Sequence, residues 1–104
     1  MIIAIDFDGT ICKRNGIPRK DEFSQDLPKR GAKVGIEFLI SLGHKPYVLT
    51  ARRPRDWPLV LQWLEKHKFP LLEITNKKKF GTKVIIDDRA IRITTWTDIC
   101  KYFG

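Results

Sequence analysis

Short apolar runs that end at an acidic or hydroxyl residue recur along the chain. The first run, residues 2–5, is continuous and ends at Asp6. A continuous apolar run of this length is typical of a strand in a parallel sheet covered on both faces. Thr50 and the pair Asp87-Asp88 follow two of the later runs. The later predicted strands are residues 46–49, 71–75, 83–86 and 92–94.

Helical spacing separates several of these strands. Apolar residues at 34, 38 and 42, with 36, 39 and 40 beside them, predict a helix over residues 31–42 that ends at Gly43. A second helix is predicted from Trp57, with Asp56 as its N-cap and Pro58 in its first turn. Its expected inward residues are Leu59, Val60, Trp63 and Leu64.

Two smaller elements complete the predicted order. Asn15-Gly16 predicts a flap hairpin within residues 10–17, and Thr95 or Thr97 can cap a last short helix. The order βαβαββα predicts one α/β domain over residues 1–104. We expect a three-layer, doubly wound, Rossmann-like parallel sheet of about five strands.

Composition narrows the kinds of partner. The net charge of +8 favours anionic partners such as nucleotides, sugar phosphates and nucleic acid. The two cysteines are far apart and have no zinc-ligand spacing, which indicates free thiols and a cytoplasmic location. The first apolar run is too short for a membrane span or a signal sequence, so no membrane partner is expected.

Polar residues at the ends of parallel strands converge on one crevice. Asp6 and Asp8 are two residues apart, so an extended chain sends both carboxylates to one side, where a cation must offset their repulsion. Mg²⁺ prefers such oxygen ligands together with substrate phosphate. Asp87-Asp88 would add a second carboxylate pair. The crevice therefore suits phosphate chemistry on a divalent cation.

Each residue of the crevice has a candidate role in that chemistry. Asp6 can attack phosphorus, and Asp8 can give a proton to the leaving oxygen and later take one from water. Gly9 permits a tight backbone near the phosphate, and Thr10 offers a hydroxyl and an amide. Thr50 can bind phosphoryl oxygens. One lysine of the run Lys77-Lys78-Lys79 can neutralise developing charge.

Together these segments resemble the haloacid dehalogenase-like superfamily, most of whose members are Mg²⁺-dependent phosphatases. Asp-Phe-Asp-Gly-Thr at residues 6–10 matches its first motif, Thr50 its second, the lysine run its third, and Asp87-Asp88 its fourth. The resemblance implies that Asp6 forms an aspartyl-phosphate and that Asp8 is the general acid/base and binds the metal through its carbonyl. It implies that Asp87 binds Mg²⁺ with help from Asp88.

The third motif leaves the catalytic lysine open. Spacing back from Asp87 favours Lys79, with Lys78 next, but Phe80 stands where small relatives usually have proline. Neither interval between motifs has room for a cap domain. Capless relatives often act on large substrates or complete their site through a neighbouring subunit, so a homo-oligomer is one expectation.

Many basic residues lie on segments that should surround the crevice, and we expect Arg52 to contact substrate. These residues are Lys13, Arg14, Arg19, Lys20, Arg52, Arg53, Arg55, the lysine run and Arg89.

Several functions compete as interpretations of these residues. A phosphatase acting on a small phosphate ester is the leading hypothesis, and a phosphatase acting on nucleic-acid ends is the alternative. A receiver-like phospho-acceptor module would need a lone Asp at the end of a middle strand, which the chain lacks. A non-catalytic binding fold is the remaining alternative.

Overall fold

The computed structural model describes residues 1–13, 26–87, 96 and 100. Within them, four parallel strands form one sheet in the order β3-β2-β1-β4, accompanied by two α-helices. The predicted flap hairpin at Asn15-Gly16 and the predicted strand at 92–94 lie outside the described residues. So does most of the predicted last helix. The elements are β1 (Ile2–Ile5), α1 (Ala32–Ser41), β2 (Lys45–Leu49), α2 (Trp57–Lys66), β3 (Ile74–Thr75) and β4 (Thr82–Ile86).

The strand predicted first lies inside the sheet, as its continuous apolar pattern indicates. Ile5 pairs with Val48 of β2 on one side and with Ile86 of β4 on the other. All three side chains are fully buried. The predicted strand at 71–75 is shorter in the structure, where only Ile74–Thr75 is a strand. Before it the chain turns Leu71 out to solvent and Leu72 into the core.

Helix α1 forms where it was predicted, but it buries only some of the apolar positions that predicted it. Its buried residues are Ala32, Gly35, Ile36 and Leu39, whereas Val34 is 70% exposed. None of the residues at positions 34, 38 and 42 is among the buried residues of α1. The reason is tertiary, because the Trp96 ring packs directly on Gly35. The inward side of α1 therefore consists of small and apolar residues, and two of them, Ile36 and Leu39, are among the apolar positions that predicted the helix.

Helix α2 begins at Trp57 as predicted, but its start is built differently. The Asp56 side chain makes no capping hydrogen bond, and a 3₁₀ turn over Pro54–Asp56 leads into the helix instead. Val60, Trp63 and Leu64 are buried as expected, and Leu59 is 44% exposed. The Trp63 indole donates to the Asp26 carbonyl at 2.9 Å, which ties α2 to the segment preceding α1.

Both helices pack on one face of the sheet. The connections from β1 to β2 and from β2 to β3 step in the same direction, and right-handed crossovers then place both helices on the same side. The core cluster agrees, because its strand residues alternate along each strand and share that face. The short connection 76–81 crosses the other face, where Lys79 contacts Tyr47. Within the described residues the expected helices on both faces are therefore not seen.

None of the helices in the described ranges has the length and apolar character needed to cross a bilayer. The core cluster joins the sheet face to both helices and to Trp96. The candidate site lies at the carboxyl ends of the strands.

Candidate active site

The ends of β1 and β4 bring two acidic residues side by side. The Asp6 amide donates to the Ile86 carbonyl at 2.9 Å, continuing the parallel ladder one step past Ile5. Asp6 and Asp87 therefore leave neighbouring strands at the same level. Both are partly exposed. This adjacency was expected from the apolar runs that precede them.

A tight turn follows β1 and carries the rest of the first motif. The Phe7 carbonyl accepts from the amides of Thr10, Ile11 and Cys12, at 3.3, 3.0 and 2.9 Å. Gly9 has φ +83°, a left-handed conformation that side chains disfavour. The Gly9 carbonyl accepts from the Lys29 ammonium at 3.1 Å. The turn is thus held by its own backbone hydrogen bonds, and no sequence motif pointed to its contact with Lys29.

Thr10 lies inside the protein rather than at the surface of the crevice. It is fully buried, and its carbonyl accepts from the Trp96 indole at 3.2 Å. Its hydroxyl has no hydrogen-bond partner among the described residues. Since its amide donates to Phe7, the backbone of Thr10 serves the turn, and its predicted contact with substrate stays a prediction.

Asp8 forms a two-point ion pair with Arg52. Arg52 Nε donates to Asp8 Oδ2 at 2.9 Å and Nη2 donates to Oδ1 at 2.8 Å. The Arg52 side chain is 12% exposed and the Asp8 side chain is 23% exposed. Burial lowers the pKa of Arg52, but the hydrogen bonds and charge of Asp8 outweigh it and raise that pKa above its ordinary value. Asp8 and Arg52 are each predicted site residues, yet their pairing was not expected.

Thr50 connects β2, β3 and Arg52. Its amide donates to the Thr75 carbonyl at 2.9 Å, and its hydroxyl oxygen accepts from the Arg52 amide at 3.1 Å. The hydroxyl hydrogen is left to donate to a further oxygen. Thr50 is only 3% exposed. It lies at the carboxyl end of its strand, as the sequence predicts.

The lysine run divides between two places. Lys77 is the second residue after β3, and its amide donates to the Thr75 hydroxyl at 3.2 Å. Lys79 lies over the sheet instead, where its ammonium pairs with Glu73 and sits 5.5 Å from the Tyr47 ring centroid. Spacing counted back from Asp87 favours Lys79 as the catalytic lysine. In the structure, however, the connection from β3 to β4 carries Lys79 away from the end of β3, whereas Lys77 stays beside it.

The metal donors that the resemblance implies are only partly within the described residues. Asp6 and Asp87 offer two carboxylates on adjacent strand ends, and Asp88 lies outside the described part. Across residues 1–13 and 26–87 there is no group of three His, Cys, Asp or Glu side chains able to hold a metal ion. The Asp8 carboxylate faces Arg52, so Asp8 would contribute its carbonyl. Two carboxylates and a carbonyl fit Mg²⁺, which keeps several waters.

Several basic side chains are exposed on the segments beside these strand ends. Arg53 and Arg55 follow Thr50 and Arg52, and Lys13 lies just beyond the turn after β1. Lys77 and Lys78 are exposed after β3. Four of the predicted basic positions, Arg14, Arg19, Lys20 and Arg89, lie outside the described residues.

Solved structures with the same fold have low sequence identity to this chain. A conserved protein from Bacteroides thetaiotaomicron matches with a TM-score of 0.76 at 19% identity, over 99% of this chain and 88% of that one. A chain of the Pnkp1/Rnl/Hen1 complex matches with a TM-score of 0.59 at 20% identity, over 78% of this chain and 30% of that one. No protein-family model and no curated protein sequence matches the chain. At these identities the likeness shows the α/β fold alone.

Proposed function

We propose that the protein is a haloacid dehalogenase-like phosphohydrolase that cleaves a phosphate monoester with Mg²⁺ and an aspartyl-phosphate on Asp6. The observation that carries the proposal is the adjacency of Asp6 and Asp87 on neighbouring parallel strands, fixed by the bond from the Asp6 amide to Ile86. Thr50 ends the strand on the other side of β1. A nucleophile, a second carboxylate and a hydroxyl thus share one edge of the sheet.

The reaction proceeds in two displacements. An Asp6 oxygen bonds to phosphorus as the ester P–O bond breaks, and the leaving oxygen takes a proton from the Asp8 carboxyl group. Asp8 then takes a proton from water, whose oxygen bonds to phosphorus as the aspartyl P–O bond breaks. The bidentate contact with Arg52 suits the ionised form of Asp8, which is the form that the second displacement requires.

Other residues hold the phosphoryl group and its charge. The Thr50 hydroxyl orients phosphoryl oxygens, and the positive φ of Gly9 lets the backbone turn closely beside them. Mg²⁺ would be held by Asp6, Asp87, the Asp8 carbonyl and Asp88, and would neutralise charge on the phosphate. A lysine of the run 77–79 completes the site. Of the three, Lys77 is favoured, because its amide is bonded to Thr75, the last residue of β3.

Hydrolysis of a generic aryl phosphate with and without Mg²⁺ tests the proposal. Wild-type protein should release phosphate only with the metal, and Asp6→Asn should abolish release while leaving the circular dichroism spectrum unchanged. The matched control Glu37→Gln changes an exposed carboxylate on α1, where it pairs with Lys33, and should keep activity. Metal-independent release, or normal turnover by Asp6→Asn, would refute the assigned chemistry. A single burst of stable phosphorylation without turnover would instead indicate a phospho-acceptor module.

Phosphorylated nucleic-acid ends are the second candidate substrate. The exposed basic side chains beside the strand ends favour it, because a polymer backbone offers them several phosphates. Oligonucleotides phosphorylated at the 3′ or 5′ end should then be hydrolysed with a lower KM than mononucleotides. That KM should rise steeply with salt, and equal KM values for both substrates would exclude this candidate.

Two wider features of the proposal concern assembly and location. A capless site leaves substrate recognition to the basic segments or to a second copy of the chain. Cys12 and Cys100 form no disulfide with each other, which agrees with a reducing, cytoplasmic compartment.

A further inference from the structure

Arg52 is held at its backbone as well as at its guanidinium. Its amide donates to the Thr50 hydroxyl at 3.1 Å, and its carbonyl accepts from the Trp57 indole at 3.0 Å. The guanidinium carbon lies 6.0 Å from the centroid of the Phe7 ring. With 12% of its side chain exposed, Arg52 is packed in place, which distinguishes it from the exposed Arg53 and Arg55 next to it.

The contact with Asp8 fixes an orientation as well as a distance. Two nitrogens of one planar guanidinium donate to the two oxygens of one carboxylate, at 2.9 and 2.8 Å. Such a pair sets the plane of the carboxylate. It joins the turn after β1 to the turn after β2 across 44 residues of chain. The position of Asp8 relative to Thr50 therefore depends on Arg52.

We propose that Arg52 is a positioning residue for Asp8 and does not bind the substrate phosphate. For the reaction this inference rests on the proposed phosphohydrolase function, in which Asp8 moves the proton. Arg52 stays protonated and gives up no proton itself. It holds the Asp8 carboxylate in the direction from which the leaving oxygen or the attacking water is reached. The Thr50 hydroxyl keeps Arg52 itself in place.

Kinetics of Arg52→Lys test the role, since lysine keeps the charge but lacks the planar two-point contact. A misoriented Asp8 should lower kcat about ten- to hundredfold, while KM for the aryl phosphate should stay within about threefold of the wild-type value. The matched control is Arg30→Lys, an exposed arginine before α1, which should change neither constant by more than about twofold. A raised KM with kcat preserved in Arg52→Lys would show that Arg52 binds substrate and would overturn the proposal.

An NMR measurement tests whether Arg52 contacts Asp8 or phosphate. Its decisive result comes from the wild-type protein and does not depend on enzymatic activity. The Arg52 Nε–H resonance, assigned from the backbone by side-chain experiments, should keep its chemical shift when inorganic phosphate and Mg²⁺ are added. In Asp8→Asn it should move or exchange rapidly with water. A large phosphate-dependent shift in the wild type would overturn the proposal. If the protein hydrolyses no phosphate ester, the proposed function fails, and this resonance still reports whether Asp8 or phosphate holds Arg52.

Discussion

Gly35 and Trp96 touch at a distance that only glycine allows. A Cβ on Gly35 would lie 2.2 Å from Cε3 of the Trp96 ring. The same indole donates to the carbonyl of Thr10, the last residue of the first motif. Packing on α1 therefore sets the position of Trp96, which donates a hydrogen bond to the turn after β1.

Gly35→Ala should destabilise the protein, although Gly→Ala within a helix ordinarily stabilises it. The added methyl cannot fit against Trp96, and such overpacking costs about 1–3 kcal/mol, against about 1 kcal/mol gained in helix propensity. We expect a lower midpoint in urea unfolding. Val34→Ala, at a position that is 70% exposed on the same helix, should change the free energy of unfolding by less than about 0.5 kcal/mol. A Gly35→Ala protein more stable than wild type would contradict the packing.

Asp87→Asn should raise the Mg²⁺ concentration needed for half-maximal activity. The variant removes one of the two carboxylates that the adjacent strand ends of β1 and β4 bring together. Loss of an anionic ligand should weaken Mg²⁺ at least about tenfold, on the order of the loss seen for changes around metal ligands. The measurement is a Mg²⁺ titration of the initial rate. An unchanged half-saturation point would count against Asp87 as a ligand.

Alanine substitutions at the three consecutive lysines should show which of them contributes most to kcat. Lys77→Ala should lower kcat most, because Lys77 follows β3 at the end next to Thr50. Lys79→Ala should affect kcat least, since its ammonium already pairs with Glu73 and lies over the Tyr47 ring. Rates for all three variants at saturating substrate give the order. The largest loss in Lys79→Ala would restore the assignment that sequence spacing favours.

His67 should make stability depend on pH. Its ring lies 4.4 Å from the Trp63 ring, and its Nε2 is buried without a partner among the described residues. Burial first, and then the charge of Lys66, lower the pKa of His67 below its ordinary value of 6.5. The unfolded chain therefore takes up a proton more readily than the folded one as pH falls through 6.5.

The contribution of His67 to the free energy of unfolding should accordingly be constant above pH 6.5. Below pH 6.5 the free energy of unfolding should decline until the pH reaches the folded-state pKa of His67. Urea midpoints for the wild type and for His67→Gln, measured between pH 7.5 and pH 5, isolate the contribution. The difference between the two proteins should change across that range. A difference that stays constant with pH would show that His67 titrates alike in both states.

Much of the site could be predicted because its signals are local. Each apolar run identifies a strand by its own composition, and the residue that follows it must lie at the strand's carboxyl end. Parallel pairing then brings Asp6, Thr50 and Asp87 to one edge. The α/β class and the identity of the residues at this edge were therefore open to prediction without any knowledge of side-chain contacts.

The tertiary structure decided what depends on distant partners. Trp96 packs on Gly35 of α1, and the pattern within residues 31–42 holds no information about that contact. Arg52 and Asp8 are 44 residues apart, and only the placement of β2 beside β1 makes them a pair. The crossover between β3 and β4 similarly separates Lys79 from Lys77. Sequence alone determined which residues end the strands, because that is a local property, whereas packing between remote segments determined what those residues contact.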